Sequence, residues 1–234
     1  MDADTAAWSS ARRAPWVAVT GLDGSGKSAL VAALADAYGA HTFRLPHHEF
    51  VGPALARSGG GAPFGDVLTD RLVFAADARL TNYLIREWRA GHPFLVSQRG
   101  WMDNYVFGAI QGCSYAATDA LLRTAELERP SAIIHLVADP DVAFARIRRD
   151  PDADKYETRA FMRVQYRETL RFWDAVRTGL PILAPFADIP ACLLDTTALS
   201  PAAVERAAST FLSAAGLAPS LDAVRCAALA PSRE

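Results

Sequence analysis

The chain is poor in the features that would place it outside a reducing, aqueous compartment. Its three cysteines, Cys113, Cys192 and Cys226, are odd in number and far apart, with no metal-type spacing. That argues against a disulfide scaffold and a zinc site, and the thiols read as reduced ones in a cytoplasmic protein. No uninterrupted apolar run is long enough to span a bilayer, and the N-terminus lacks an apolar signal core. A surplus of one charge is missing too. The formal net charge of −2 gives no general pull toward nucleic acid or an anionic membrane. The adjacent His47 and His48 have no Cys or carboxylate partners at ligand spacing and read as a polar loop. No internal repeat and no second domain are visible. At 234 residues, 51% hydrophobic and 21% charged, the chain suits one α/β domain with a full core.

What is present is concentrated near the start. Gly21-Leu22-Asp23-Gly24-Ser25-Gly26-Lys27-Ser28 fits the phosphate-binding pattern G-x-x-x-x-G-K-[ST] at every fixed position. Gly21, Gly24 and Gly26 let the backbone turn so that successive N–H groups, including that of Ser25, point at a polyphosphate. Lys27 supplies a mobile point charge for the outer phosphates, and Ser28 offers a hydroxyl to Mg²⁺. The apolar run Trp16–Thr20 precedes the loop, and a helix-forming stretch from Ala29 follows it to Gly39. Strand, glycine loop and helix N-terminus are the required context, and the helix dipole adds to the attraction for anions. The segment is expected to bind a nucleoside triphosphate.

Further strands are expected at His41–Leu45, Pro93–Ser97, Ala132–Val137 and Ala191–Asp195. Helices are expected at Asp66–Ala90, Met102–Ile110, Thr118–Glu128, Asp141–Arg149, Thr158–Arg177 and Pro201–Ala214. Within 66–90 the apolar residues Leu72, Ala76, Leu80 and Leu84 recur at helical spacing. His135, inside the fourth strand, reads as a hydrogen-bonded core histidine. Strands alternating with helices imply a five-stranded parallel sheet covered on both faces, with ligands beyond the strands' carboxyl ends. Residues 1–14 read as a loose leader, 15–217 as one P-loop domain with a short lid near 146–158, and 218–234 as a tail. In that lid Arg146, Arg148, Arg149 and Lys155 form a basic cluster able to close on phosphates and exclude water. Arg99, at a strand's carboxyl end, offers a planar fork that grips phosphate in two places. Asp23 faces a Mg²⁺-bound water, accepts from an acceptor hydroxyl, or points to solvent.

Several stretches together resemble the thymidylate kinase family, within the nucleoside monophosphate kinase group. The likeness begins at the glycine loop and continues through Arg44-Leu45-Pro46, Gly52, Arg57 and Leu72–Asp77. It runs on through Ala90–Pro93, Ser97-Gln98-Arg99, Asp139–Ala143, Arg146-Ile147, Asp154–Glu157, Asp195–Thr197 and Ser200-Pro201. It spans about residues 16 to 215, and order and spacing carry it. The resemblance implies a P-loop kinase fold, ATP and Mg²⁺ as cofactors, Arg146 lying against adenine, and a homodimer using helix 66–90. By the same likeness Lys27, Arg99, Asp23 and Arg149 are catalytic. Gly21, Asp23, Gly24, Ser25, Gly26, Lys27, Ser28, Ala29, Arg146, Arg148 and Lys155 bind ATP, and Phe74, Arg44, Arg79, Asp103 and Tyr105 are candidates for the small-molecule acceptor.

Three departures fall on the acceptor side. The family's Asp before the arginine is Gln98, which carries no charge toward a metal. Its arginine after Ala-Asp is Ala78, with Arg79 one place on and about 100° around a helix. Its base-reading glutamine falls at Gly108, with Gln111 displaced by three. Thymine specificity is therefore not supported. Deoxynucleoside kinases carry a glutamate base where Gln98 stands, so a hydroxyl acceptor would need Asp103 or Asp23 instead. A phosphate acceptor needs no base, because its second pKa is about 6. The leading expectation is an ATP-dependent kinase of a nucleoside monophosphate. A same-fold kinase of a nucleoside or metabolite hydroxyl, and a nucleotide-binding regulatory protein without turnover, stand as alternatives. No Asn-Lys-x-Asp motif supports a GTPase.

Overall fold

The computed structural model describes residues 13–48, 50–51, 66–147 and 158–217. Five strands form one sheet: β1 (Trp16–Gly21), β2 (His41–Arg44), β3 (Leu95–Gln98), β4 (Ala132–Val137) and β5 (Ala191–Asp195). All pairings are parallel, in the order β2-β3-β1-β4-β5. Every residue of β1 and β4 is buried, which is why both read as continuous apolar runs. The chain builds outward from β1 on one side, to β2 and β3, and then on the other, to β4 and β5. The carboxyl end of β1 therefore lies where the winding reverses, the usual place for a ligand crevice.

Helices cover both faces, as expected. Alternate residues of β1 and β4 (Val17, Val19, Ile134, Leu136) pack against α1 (Lys27–Tyr38) and the final helix, Pro201–Ala214. Trp16, Ala18 and Ile133 point the other way. There they meet α2 (Val67–Gly91), α3 (Met102–Ile110), α4 (Tyr115–Arg123) and a longer helix, Arg159–Arg177. Between β4 and that helix lies α5 (Pro140–Ile147), so that Arg159–Arg177 is α6; a short turn Ala184–Ala187 is α7 and Pro201–Ala214 is α8. Capping fixes several of these starts. Asp66 accepts from the N–H of Thr69, Ser114 from Ala117, Thr158 from Phe161 and Ser200 from Ala203.

Two details differ from expectation, and a third, the rotation of α2, is one that apolar spacing alone does not fix. The Leu72–Ala76–Leu80 stripe faces outward, and Leu68, Leu72, Leu80 and Tyr83 are exposed. The inward face of α2 instead carries Asp70, Arg71, Ala75, Asp77, Ala78, Thr81, Asn82 and Ile85, its polar members held by side-chain and backbone partners from neighbouring segments. His135 is in the core, but neither ring nitrogen has a hydrogen-bond partner among the described residues. Its ring meets Trp173 edge-on at 5.6 Å, and burial, with the charge of Lys27 adding, pushes its pKa down to about 3. Ala14, expected in the leader, is buried and donates to Arg89 O at 3.1 Å. Most of the expected leader, lid and tail lies outside the described residues.

Candidate active site

The glycine loop leaves β1 at that reversal point. Gly21 has φ +129°, and a Cβ there would sit 1.9 Å from Leu136 O; Gly24 has φ +73°, with a Cβ 2.3 Å from Ala143 O. No residue with a side chain fits either place. Gly26 opens α1 with no side-chain cap, so the first N–H groups of the helix remain directed at the loop's concavity. Ser25 Oγ is buried without a partner among the described residues. Lys27 is buried along its stem, and its ammonium donates to Leu22 O at 2.9 Å and Asp23 Oδ1 at 2.8 Å. Ser28 and Ala29 are exposed on the first turn. Uncapped N–H groups, an orphaned hydroxyl and a lysine form a cradle that fits a triphosphate. Among the described residues no His/Cys/Asp/Glu cluster can hold a metal ion by itself. Mg²⁺ keeps most of its waters and needs few protein ligands, and the exposed hydroxyl of Ser28 is the candidate here.

Beside the loop, Arg99 follows β3 and Arg44 ends β2, paired in register with Gln98. Arg99 reaches Asp23 Oδ1 at 3.4 Å, its guanidinium 5.6 Å from the ring centre of Phe107. Burial raises the pKa of Asp23, but Lys27, Arg99 and Arg44 outweigh it and hold the carboxyl well below the usual range. The loop carboxylate thus draws together the cations that a phosphoryl group needs. Asp103 joins them from the first turn of α3, accepting from Thr20 Oγ1 at 2.7 Å and from the Gly100 N–H at 2.7 Å. Burial is the chief influence on its pKa and raises it, against the pull of Arg99 and these hydrogen bonds.

On the other side of the loop, Arg146 on α5 bridges two segments. It donates to Gly24 O at 3.4 Å, Thr196 O at 2.9 Å and Thr197 O at 3.1 Å. Thr196 Oγ1 in turn donates to Ser25 O at 2.9 Å, which ties the loop after β5 to the glycine loop. Arg148, Arg149 and Lys155 lie outside the described residues.

The acceptor-side candidates divide. Phe74 is half-buried on α2, and the guanidinium of Arg71 covers its ring at 4.8 Å. Arg79 is a correction: it turns outward to Glu126 at 2.8 Å and the ring of Tyr83, because one residue's rotation carries it off the inner face. Tyr105 is another. It is buried in the apolar core with its hydroxyl donating to Asp119 at 3.0 Å, since its position on α3 faces α4 and α6. Trp101 is likewise in the core.

Sequence reasoning missed Thr20, Ser97 and Arg71, all buried. Arg71 stands seven residues before Ala78, two helical turns, hence on the same inner face of α2. It donates to Asn104 O at 3.2 Å, and its Nε is buried without a partner among the described residues. Gln111 donates to Asp70 at 2.9 Å, and its Oε1 is left without a partner among the described residues. At Gly108 a Cβ would lie 2.7 Å from Thr118 Oγ1, so a side chain there would require Thr118 to shift. The heptad relation of positions 71 and 78 was the signal that could have found Arg71.

A glycine cradle at the reversal point of a parallel sheet, with lysine and arginine converging on one carboxylate, defines a P-loop phosphotransferase. No family model matches the chain. It is 30% identical over 174 residues to a probable thymidylate kinase from Pyrobaculum aerophilum, covering 72% of this chain and 86% of that protein. Among solved structures it is similar to the thymidylate kinase of Candida albicans, with a TM-score of 0.67 at 14% identity over 88% of this chain and 94% of that one. The chain belongs to the thymidylate kinase family. It is therefore an ATP-dependent kinase of the nucleoside monophosphate group and uses Mg²⁺, and the regulatory alternative without turnover is set aside. No helix among the described residues is long and apolar enough to cross a membrane.

Proposed function

We propose that the enzyme transfers the γ-phosphoryl group of ATP to the phosphate of a nucleoside monophosphate, not to a hydroxyl. The observation that supports this is the state of the two carboxylates at the transfer site. Asp23 is claimed by Lys27 and Arg99, and Asp103 by Thr20 and the Gly100 N–H. Both carboxylates are thus already engaged in the free enzyme, and a phosphate dianion needs no base and is attracted by the same cations.

In this reading Lys27 draws on the outer phosphates and Arg99 spans donor and acceptor, where a cation matched to the developing charge contributes most. Arg44 steers the acceptor phosphate, Phe74 flanks its base, and Arg146 lies against adenine. Arg148, Arg149 and Lys155 would add positive charge for the phosphates. Ser28 would hold Mg²⁺, which when bound neutralises charge on the β- and γ-phosphates. The exposed Leu68, Leu72, Leu80 and Tyr83 of α2 form the contact of a homodimer, and the free thiols Cys113 and Cys192 suit a cytoplasmic setting.

The test is to incubate the protein with ATP, Mg²⁺ and a panel of nucleosides and nucleotides and to analyse products by mass and phosphorus NMR. A new phosphoanhydride supports the reading; a new phosphate ester replaces it with the hydroxyl alternative. Arg99→Ala is expected to cut turnover by roughly 10²–10³-fold while ATP affinity changes little. Equal loss in both would remove Arg99 from the transfer step.

A further inference from the structure

We propose that Asp103, anchored by Thr20, is a positioning residue that holds Arg99 in its transfer-competent backbone conformation. This rests on the role given to Arg99 above. Arg99 has φ +74°, in the left-handed region that residues with a side chain rarely occupy. The polar backbone groups around it are pinned. Its N–H donates to Val19 O at 2.7 Å, its carbonyl accepts from Ser97 Oγ at 2.8 Å, and the next N–H, of Gly100, donates to Asp103 at 2.7 Å.

Both anchors are themselves rooted in the sheet. Ser97 Oγ accepts from Trp16 Nε1 at 2.9 Å, and the hydroxyl of Thr20 lies 2.7 and 2.8 Å from the two oxygens of Asp103. Ser97 and Thr20 are fully buried, on adjacent strands β3 and β1. The bond from Gly100 alone would be an ordinary helix-start arrangement, an acid reaching back three residues. A cap of that kind does not require Thr20. The second anchor ties the carboxylate to the end of β1, and so fixes the Arg99 peptide relative to the glycine loop that follows β1. Gln98 leaves no acid beside Arg99 along the chain, and Asp103 places one near it in space.

The conservative substitution separates positioning from charge. An amide at position 103 still accepts from Gly100 through its oxygen, and its NH₂ can donate to Thr20, whose hydroxyl then turns to accept. The experiment compares the wild type with Asp103→Asn, Asp103→Ala, Thr20→Val, Arg99→Ala and Arg99→Ala/Asp103→Ala. Each is assayed for Mg²⁺–ATP affinity by calorimetry and for kcat and KM on the best of eight common ribo- and deoxyribonucleoside monophosphates. A crystal structure of Asp103→Ala accompanies these.

Asp103→Ala is expected to lower kcat by roughly 10–100-fold with ATP affinity unchanged, the scale of an Å-level misplacement. Asp103→Asn is expected to stay within about threefold of the wild type, and Thr20→Val to fall between them. In the crystal Arg99 leaves positive φ and its guanidinium leaves Asp23. On the Arg99→Ala background, Asp103→Ala has nothing left to position, and a loss as large as in the wild type would overturn the proposal. So would an Asn variant as impaired as the Ala variant, or an Arg99 that stays in place in Asp103→Ala. If no monophosphate turns over, the acceptor reading fails, and the conformation of Arg99 in Asp103→Ala still decides this one.

Discussion

Asp23 is paired with Lys27 and Arg99, so a triphosphate bound by these cations, as proposed above, has to displace it. Its Oδ1 is 2.8 Å from Lys27 Nζ and 3.4 Å from an Arg99 nitrogen. At a water-like dielectric these attractions come to about 1.5 and 1.2 kcal/mol, and a less polar site would strengthen them. Part of that is returned when the displaced carboxylate regains water. A net cost to ATP on the order of 1–2 kcal/mol follows, or roughly tenfold in affinity.

Asp23→Asn is therefore expected to bind metal-free ATP roughly tenfold more tightly than the wild type. The free variant is expected to be less stable, because Lys27, Arg99 and Arg44 lose their shared counter-ion. A loss of about 1 kcal/mol lowers the melting temperature of a chain this size by about 2–4 °C, and inorganic phosphate should restore it. The sign with pH is definite. The folded pKa of Asp23 lies below its unfolded value, so its stabilisation is complete above the ordinary carboxylate range and is lost only as pH falls through the folded value. The wild-type/Asn difference should be flat from neutral pH upward. Calorimetric titration of ATP in EDTA, with melting curves of the free forms, measures both effects. Weaker binding by Asp23→Asn would refute the reasoning and make the carboxylate a required ligand.

Other substitutions test neighbouring parts of the structure. His135 has a folded pKa pushed down to about 3, so the unfolded chain takes up a proton that the folded chain refuses between the unfolded value near 6.5 and that figure. Stability should fall as pH drops through that window, by up to about 1.4 kcal/mol per pH unit, and His135→Leu should flatten the fall in acid melting curves. Gly24→Ala places a methyl group 2.3 Å from Ala143 O at φ +73°, so ATP binding should disappear in calorimetry while the far-ultraviolet circular dichroism stays native. Arg71→Ala should raise the KM for the acceptor about tenfold or more, with ATP affinity unchanged, if its buried Nε serves the acceptor pocket.

How much of this could be read from the sequence follows from how each feature is encoded. The glycine loop was legible because its requirements are local: a turn that excludes Cβ, a lysine, a helix start. The strands were legible because a sheet covered on both faces needs continuous apolar runs, and β1 and β4 are buried throughout. Helix orientation was not. The Leu72–Leu80 stripe of α2 has the spacing of a core face, but the core side belongs to Arg71, Asp77 and Asn82, whose partners come from segments far along the chain. An apolar stripe reports a face that avoids water, and on α2 it does not say whether the cover is this chain's own core or another surface. The acceptor side depends on that same rotation. It separates Arg79, which lies outside, from Arg71, which lies inside two turns before Ala78. Asp103 was visible as an acid near Arg99 in sequence, but its bond to Thr20 crosses 83 residues, and no local pattern carries such a pairing. Motif matching compares residues position by position, so it registers Gln98, Ala78 and Gly108 as losses. Folding sets Arg71 on the inner face of α2 with Ala78 and ties Asp103 to Thr20 across the chain, and position-by-position matching registers neither.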